Sequence, residues 1–141
     1  NDKTCDEKSL HTLYFNSIIK KQCIIITKEK GGNILKTFYT STFIKKEELQ
    51  EAGITYPIKL EYYKIINEDE IMKGEKARFG IKVVKTEYRD EKAKIEEKEI
   101  TYLSNDEKRI EEILNIFKEN EVTPISVEEI IYDFWKSMIF I

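Results

Sequence analysis

Two apolar stripes at helical spacing, both near the end of the sequence, constrain the fold more than any other feature. The first stripe consists of Ile110, Ile113, Leu114 and Phe117. The second consists of Val127, Ile130, Ile131, Phe134, Trp135 and Met138. Spacings of three and four residues place such side chains on one side of an α-helix, and that side has to be buried. We therefore predict two amphipathic helices, the first ending at Asn120 and the second following a corner at Pro124.

A Ser-x-x-Glu pattern precedes each stripe. Ser104 is followed three residues later by Glu107, and Ser126 is followed in the same way by Glu129. In such a capping box, each side chain accepts a hydrogen bond from the other residue's backbone N–H group. The pattern predicts that Ser104 and Ser126 cap the two helices.

The segment before the helices alternates between apolar and polar residues, as strands do. The alternation covers residues 58–66, 79–86 and 98–103, and polar connections join these stretches. Alternation at a period of two is typical of an antiparallel sheet with one face in water and one face buried. The two helices are expected to cover the buried face, which gives an α+β fold with an antiparallel meander.

The first part of the sequence predicts a β-hairpin. Residues 23–27 and 34–39 favour strands, and Gly31 and Gly32 between them favour a tight turn. Residues 42–52 suggest a short helix that Gly53 ends and Pro57 keeps from resuming. Residues 10–21 fit either a helix or a strand. We predict a single domain over residues 1–141, with residues 1–53 as an extension and residues 54–141 as its core.

Four stretches between residues 60 and 133 carry a family resemblance. They are LEYYKII at residues 60–66, FGIKVV at 79–84, NEVTPI at 120–125 and EEIIYD at 128–133. Over residues 56–135 they resemble a family of small uncharacterised proteins from spore-forming anaerobic Firmicutes, most specifically in the Asn-x-Val-Thr-Pro-Ile element. Phe79 stands where that family usually has tyrosine. The resemblance implies one structural unit in a cytoplasmic setting, and it implies no particular chemistry.

The composition is that of a folded, non-membrane protein. Of the 141 residues, 40% are hydrophobic and 36% are charged, with both signs mixed along the chain. No apolar run approaches the roughly 18 residues that a membrane-spanning helix needs. Cys5 and Cys23 are too few for a disulfide scaffold. They favour free thiols in a reducing cytoplasm over a disulfide bond.

The charge distribution argues against a dedicated nucleic-acid binder. Residues 1–47 carry nine lysines and five acidic residues, a net charge of +4, whereas the remaining residues have a net charge of −7. The sequence pI is 5.4, far below the basic values typical of nucleic-acid-binding domains. The second helix carries Glu128, Glu129 and Asp133 against a single Lys136, which is the wrong sign for phosphate.

No catalytic, cofactor or metal signature is present. The lone His11 has no partner at ligand spacing, and the sequence lacks the GxSxG, GxGxxG and phosphate-loop motifs. The acidic stretch 67–75 has Met72 where a calcium loop requires glycine. We therefore expect no enzymatic activity, no cofactor and no bound metal.

Binding of another protein is the function that remains. The last four residues, Met138, Ile139, Phe140 and Ile141, are apolar. Packing into the chain's own core is the simpler expectation, and a contact with a protein partner or a second copy is the alternative. Another possibility is a small-molecule or nucleic-acid site in the basic N-terminal part. That site would be built from Lys20, Lys21, Lys28, Lys30 and Lys36.

Overall fold

The structure, a computed structural model, describes residues 24–29, 32–68 and 76–139. Within these residues, five antiparallel strands form one sheet in the order of the chain. They are β1 (Ile24–Glu29), β2 (Gly32–Ile44), β3 (Ile58–Asn67), β4 (Phe79–Tyr88) and β5 (Ala93–Ser104). Two helices follow, α1 (Glu107–Glu119) and α2 (Val127–Ile139). The predicted α+β meander with two C-terminal helices is confirmed.

The start of the sheet differs from the prediction in length. β1 and β2 form the expected hairpin, but β2 continues as far as Ile44, which pairs with Ile58 of β3. The helix predicted over residues 42–52 is therefore wrong in its start. A 3-10 helix, η1 (Lys46–Ala52), follows the strand and ends at Gly53, whose φ is 76°. Because β3 offers pairing partners to residues 42–44, tertiary pairing prevails over their local helical pattern.

Both helices begin differently from the predicted capping boxes. β5 extends through Ser104, and Asp106 is the residue that caps α1, its side chain accepting from the Lys108 N–H group over 3.1 Å. Ser104 instead accepts from the Asp106 N–H group. A 3-10 turn, η2 (Pro124–Ser126), leads directly into α2, so Ser126 already lies inside helical backbone. Both predictions of a serine cap are wrong, because Ser104 belongs to the strand β5 and Ser126 belongs to the turn η2.

The end of α1 falls at Asn120, as predicted, and has an unusual residue next to it. The Val122 N–H group donates to the Phe117 carbonyl over 3.0 Å, and the Glu121 N–H group donates to the Lys118 carbonyl over 3.2 Å. These two bonds define a Schellman motif, whose left-handed position glycine normally occupies. Here Glu121 occupies it, with a φ of 50°. The turn therefore contains a strained residue.

One face of the sheet, called the helix face below, packs against the helices. The first predicted stripe is completely buried: Ile110, Ile113, Leu114 and Phe117. These side chains share a core with Ile58, Leu60, Tyr62, Ile81 and Val83 of the sheet and with Val127 and Ile131 of α2. At the margin of this face, Lys64 Nζ reaches Glu107 and Glu111 of α1 over 2.7 and 3.1 Å.

The other face of the sheet, called the opposite face below, carries Lys59, Glu61, Tyr63 and Ile65 of β3. The alternation predicted a face in water, and for β3 that prediction is wrong. Lys59 is 0% exposed and Glu61 is 2% exposed. Lys59 Nζ lies 3.7 Å from Glu61 Oε2, and the Tyr63 hydroxyl donates to the same oxygen over 3.1 Å. Because these groups pair with one another, charged side chains can occupy a buried strand.

Gly80 lies at a bulge where β4 meets β5. Phe79 pairs with Ser104 and Ile81 pairs with Ile100, so residues 101–103 of β5 all lie opposite Gly80. The side-chain amide of Asn67 donates to the Thr101 carbonyl in this bulge over 2.9 Å. A Cβ atom on Gly80 would approach the backbone oxygens of residues 100 and 101 to 2.2 and 2.3 Å. The bulge therefore requires glycine at this position.

Replacing Gly80 by alanine is expected to destabilise the protein by about 3 kcal/mol or more, because strand backbone would have to move. The matched change is Gly53→Ala, where no atom lies within 4 Å of the added Cβ. There only the positive φ matters, at about 1 kcal/mol. Urea unfolding followed by circular dichroism measures both values. Equal losses at the two glycines would contradict the close approach at the bulge.

Replacing Glu121 by glycine is expected to stabilise the protein by about 0.5–1 kcal/mol, because glycine adopts the left-handed conformation without strain. The control is Glu112→Gly at an exposed position in the middle of α1, which should destabilise by about 1 kcal/mol. Thermal unfolding of the two variants and the wild type gives the comparison. A loss of stability in both variants would show that Glu121 is not strained.

Candidate functional site

The outer side of the segment formed by η2 and α2 exposes two large apolar residues. Ile125 of η2 is 92% exposed and Tyr132 of α2 is 66% exposed. The other exposed large hydrophobic residues of the described chain, such as Ile95 and Tyr102, are each less exposed than these two. Burial of a side chain of this size yields about 1.5–3 kcal/mol. Ile125 and Tyr132 are therefore the described residues that would gain most from a partner.

The inner side of the same segment holds this surface in place. Pro124, Val127 and Ile131 are buried, and the latter two belong to the core. Residues 125, 129 and 132 follow at spacings of four and three, which places them together on the other side of the helix. Ile125 was not predicted to be a functional residue. The sequence does show that it lies outside the apolar stripe and directly after a proline. Its exposure follows from the burial of its neighbours.

Acidic side chains surround the two apolar residues. Glu128, Glu129 and Asp133 are exposed on α2, together with the single base Lys136. Lys98 of β5 forms an ion pair with Glu128, and its hydrogen bond and charge hold the pKa of that carboxyl below the usual value. This pair joins the first turn of α2 to the edge strand of the sheet. The surface of α2 made by Ile125, Glu128, Glu129, Tyr132 and Asp133 is called the α2 surface below.

Four aromatic residues of β3 and α2 lie in different environments. Tyr62 and Tyr63 are buried, and Tyr132 is exposed. Trp135 was expected to be mostly buried, and it lies half-buried against the core with its ring 5.4 Å from that of Phe134. Of the aromatic side chains on α2, Tyr132 is thus the one that is free to meet a partner.

The predicted contact at residues 138–141 lies largely outside the described residues. Met138 and Ile139 are the last residues of α2, and their side chains and residues 140–141 are not among those described. The backbone of Met138 and Ile139 continues the helix that carries the α2 surface. A partner contact through Met138, Ile139, Phe140 and Ile141 stays a prediction.

Of the five lysines predicted to form the basic N-terminal site, Lys36 is the one whose side chain the structure describes. Its Nζ atom lies 2.8 Å from Glu99 Oε1 on the opposite face. Burial acts to raise the pKa of Glu99, but Lys36, Thr101 and Lys82 together leave that pKa below its usual value. Lys20, Lys21 and Lys30 lie outside the described residues, and Lys28 is described only as backbone in β1. Lys36 is therefore engaged within the protein.

The described residues contain no group of three histidine, cysteine, aspartate or glutamate side chains placed to hold a metal ion. His11, Cys5, Cys23 and most of the acidic stretch 67–75 lie outside them. In the part of the chain that the structure covers, no helix is both long and apolar enough to cross a membrane.

Comparison with protein families shows where the chain belongs. The model of DUF6514, a family of unknown function, matches residues 39–137. The chain belongs to the DUF6514 family. The match begins within β2 and ends in α2, so the family includes the helix face, both helices and the α2 surface. Comparison with curated proteins finds no match, and comparison with solved structures finds none either.

Replacing Lys98 by glutamine is expected to raise the pKa of Glu128, because the hydrogen bond and charge that stabilise its ionised form are lost. A lowered carboxyl pKa favours the folded state above the unfolded pKa, and the benefit fades as the pH falls. NMR titration of the Glu128 side chain measures the change. Lys94→Gln, four residues earlier on the same strand, is the control. An unchanged Glu128 pKa in Lys98→Gln would contradict the pairing.

Proposed function

We propose that this protein is a non-enzymatic, cytoplasmic regulator or adaptor that acts by binding another protein through the α2 surface. The observation that carries the proposal is the exposure of Ile125 and Tyr132 on one side of a helix whose other side is buried in the core. Large apolar and aromatic side chains on a rigid element are the usual anchors of protein interfaces.

The geometry of the α2 surface suits a groove or a helix on the partner. Ile125 and Tyr132 are seven residues apart, a separation of about 10 Å along a helix axis. Anchors two turns apart on one helical face are the pattern that binding grooves recognise. The helix itself needs no ordering on binding, because Val127 and Ile131 already fix it to the sheet. Less entropy is lost when a preformed element binds.

The charge of the α2 surface selects a basic partner. Glu128, Glu129 and Asp133 border the apolar anchors, and of these Glu128 is paired with Lys98. A partner segment with lysine or arginine around an apolar centre would complement the remaining acidic groups. Acidic side chains around an apolar centre speed the encounter with a basic partner and disfavour acidic partners. They contribute less to the affinity itself. The basic partner distinguishes this proposal from a second copy, whose α2 surface would bring acid against acid.

The test uses the tagged full-length protein as bait in a lysate of the organism that makes it, with untagged protein added. The wild type is compared with the double variant Ile125→Ser/Tyr132→Ser. The matched control, Ile95→Ser/Tyr102→Ser, removes the same two residue types from β5, where both are also exposed. Surface changes of this kind usually alter stability by less than about 0.5 kcal/mol. We expect the wild type and the control to capture a partner. Capture by the Ile125→Ser/Tyr132→Ser variant should be at least about tenfold weaker.

Each outcome of the capture experiment bears on the proposal. Capture that weakens with added salt supports a basic partner, since screening reduces attraction between exposed charges. Equal capture by all three baits would move the interface away from the α2 surface. Capture of the untagged copy alone would replace a heterologous partner by self-association. Absence of any specific partner would count against a binding function.

A further inference from the structure

The first half of β5 is an exposed strand at the edge of the sheet. β5 is the last strand in the sheet order, and within the described residues it pairs with β4 alone. Residues 93–97 are all exposed, among them the large apolar Ile95 at 41%. On an edge strand, the backbone N–H and C=O groups of every second residue point away from the sheet. Residues 93–97, called the β5 edge below, can therefore accept a further strand.

The charges of the β5 edge determine which strand it accepts. The sequence of the edge is Ala-Lys-Ile-Glu-Glu, so Lys94 and Glu96 point to one face of the sheet and Ile95 points to the other. Charged residues on an edge strand commonly prevent pairing with other chains. That protection depends on the arriving strand, because like charges placed opposite one another repel and unlike charges attract. The β5 edge therefore selects a strand with complementary charges.

A second copy of the β5 edge has complementary charges. In an antiparallel pair centred on Ile95, Lys94 of each copy lies opposite Glu96 of the other, and the two Ile95 side chains meet at the axis. Ala93 lies opposite Glu97 at both ends. Moving the centre by one residue would place Lys94 opposite Lys94 or Glu96 opposite Glu96. A centre between two residues would place Ile95 opposite a charge. The sequence therefore favours the register centred on Ile95.

The side chains that would make these contacts are accessible. Lys94 is exposed, and none of the ion pairs between described residues includes it. Glu96 pairs with Lys85 Nζ over 3.1 Å, but 45% of its side chain stays exposed, and a carboxylate can accept from a second donor. Both residues alternate in step with Lys98, which reaches α2, so they lie on the helix face. Their exposure shows that the described helices leave space there for a second sheet.

From the exposed edge and its self-complementary charges, we propose that two copies of this chain pair through the β5 edge in an antiparallel, twofold-symmetric dimer. The two five-stranded sheets then continue into one another. The contact is small, and interfaces that bury less than about 1,200 Å² usually belong to weak, reversible complexes. The dimer therefore forms and dissociates with protein concentration. It uses none of the residues of the α2 surface, so it is independent of the partner proposed for that surface.

Sedimentation equilibrium of the full-length protein over a range of concentrations tests the proposal. The mass of the wild type should rise from that of one chain, 16.8 kDa, towards twice that value. Lys94→Glu turns both Lys–Glu contacts into Glu–Glu contacts, and Glu96→Lys turns both into Lys–Lys contacts. Each variant alone should therefore dimerise at least about tenfold more weakly. The matched controls, Lys108→Glu and Glu112→Lys, make the same charge changes at exposed positions of α1 and should dimerise like the wild type.

An equimolar mixture of Lys94→Glu and Glu96→Lys tests the register. In a mixed pair, the new glutamate at position 94 meets the new lysine at position 96, and the unchanged Glu96 and Lys94 meet as in the wild type. The mixture should therefore dimerise like the wild type, although neither variant does so alone. Circular dichroism of each variant shows that it is folded.

A cross-linking arm tests the position of the axis without changing a charge. In a chain with Cys5→Ser and Cys23→Ser, the thiol of Ile95→Cys faces its own copy across the axis, within reach of a disulfide bond. Tyr102→Cys, also at an exposed position of β5, lies away from the axis. Mild oxidation should cross-link the first variant at least about tenfold faster, because pairing raises the local thiol concentration.

Several outcomes would overturn the proposal. They are a wild type with the mass of one chain at every concentration, undiminished dimers in either charge variant, a mixture that does not recover, or equal cross-linking at positions 95 and 102. The Ile125→Ser/Tyr132→Ser variant should dimerise like the wild type. Loss of the dimer in that variant would instead assign self-association to the α2 surface.

Discussion

The fold depends on β3, a strand whose side chains are buried on both faces of the sheet. On the helix face, Leu60 and Tyr62 contribute to the core with α1. On the opposite face, Lys59 and Glu61 are buried as a pair. A strand buried on both faces has to satisfy its polar groups within the protein, because burial removes them from water. Removing one charge of such a pair typically costs about 3–5 kcal/mol, since the other is left buried and alone.

The same strand determines where the α2 surface lies. The Tyr62 hydroxyl donates a hydrogen bond of 2.9 Å to the Val122 carbonyl, in the corner between α1 and α2. Burial, followed by the nearby charge of Glu121, raises the pKa of this hydroxyl, so it stays a donor. The corner then passes through the buried Pro124 into α2. The outward direction of Ile125 is thus a consequence of contacts that begin at the centre of the sheet.

The α2 surface lies on the side of the sheet that the helices cover. The α2 surface lies within the residues that match the DUF6514 family, on a helix whose inner side belongs to the core.

The sequence by itself determined the order of the strands and helices. Alternation predicted β3, β4 and half of β5, and the spacing of Ile110 and Phe117 predicted the buried side of α1, because these periodicities reflect local backbone geometry. The capping pattern failed, since whether Ser104 ends a strand or starts a helix depends on pairing with Phe79 across the bulge. The end of β2 was not predicted for the same reason, because pairing with β3 determines how far β2 extends.

Only the tertiary structure decided which polar residues are buried and which apolar residues are exposed. Lys59 and Glu61 alternate along β3 as surface residues do, yet they are buried, and their mutual ion pair replaces contacts with water. Ile125 is apolar and stays exposed, because Pro124 and Val127 on either side of it take the positions in the core. A local sequence pattern indicates which face of a strand or helix a residue lies on. Whether that face is buried depends on residues far away in the chain.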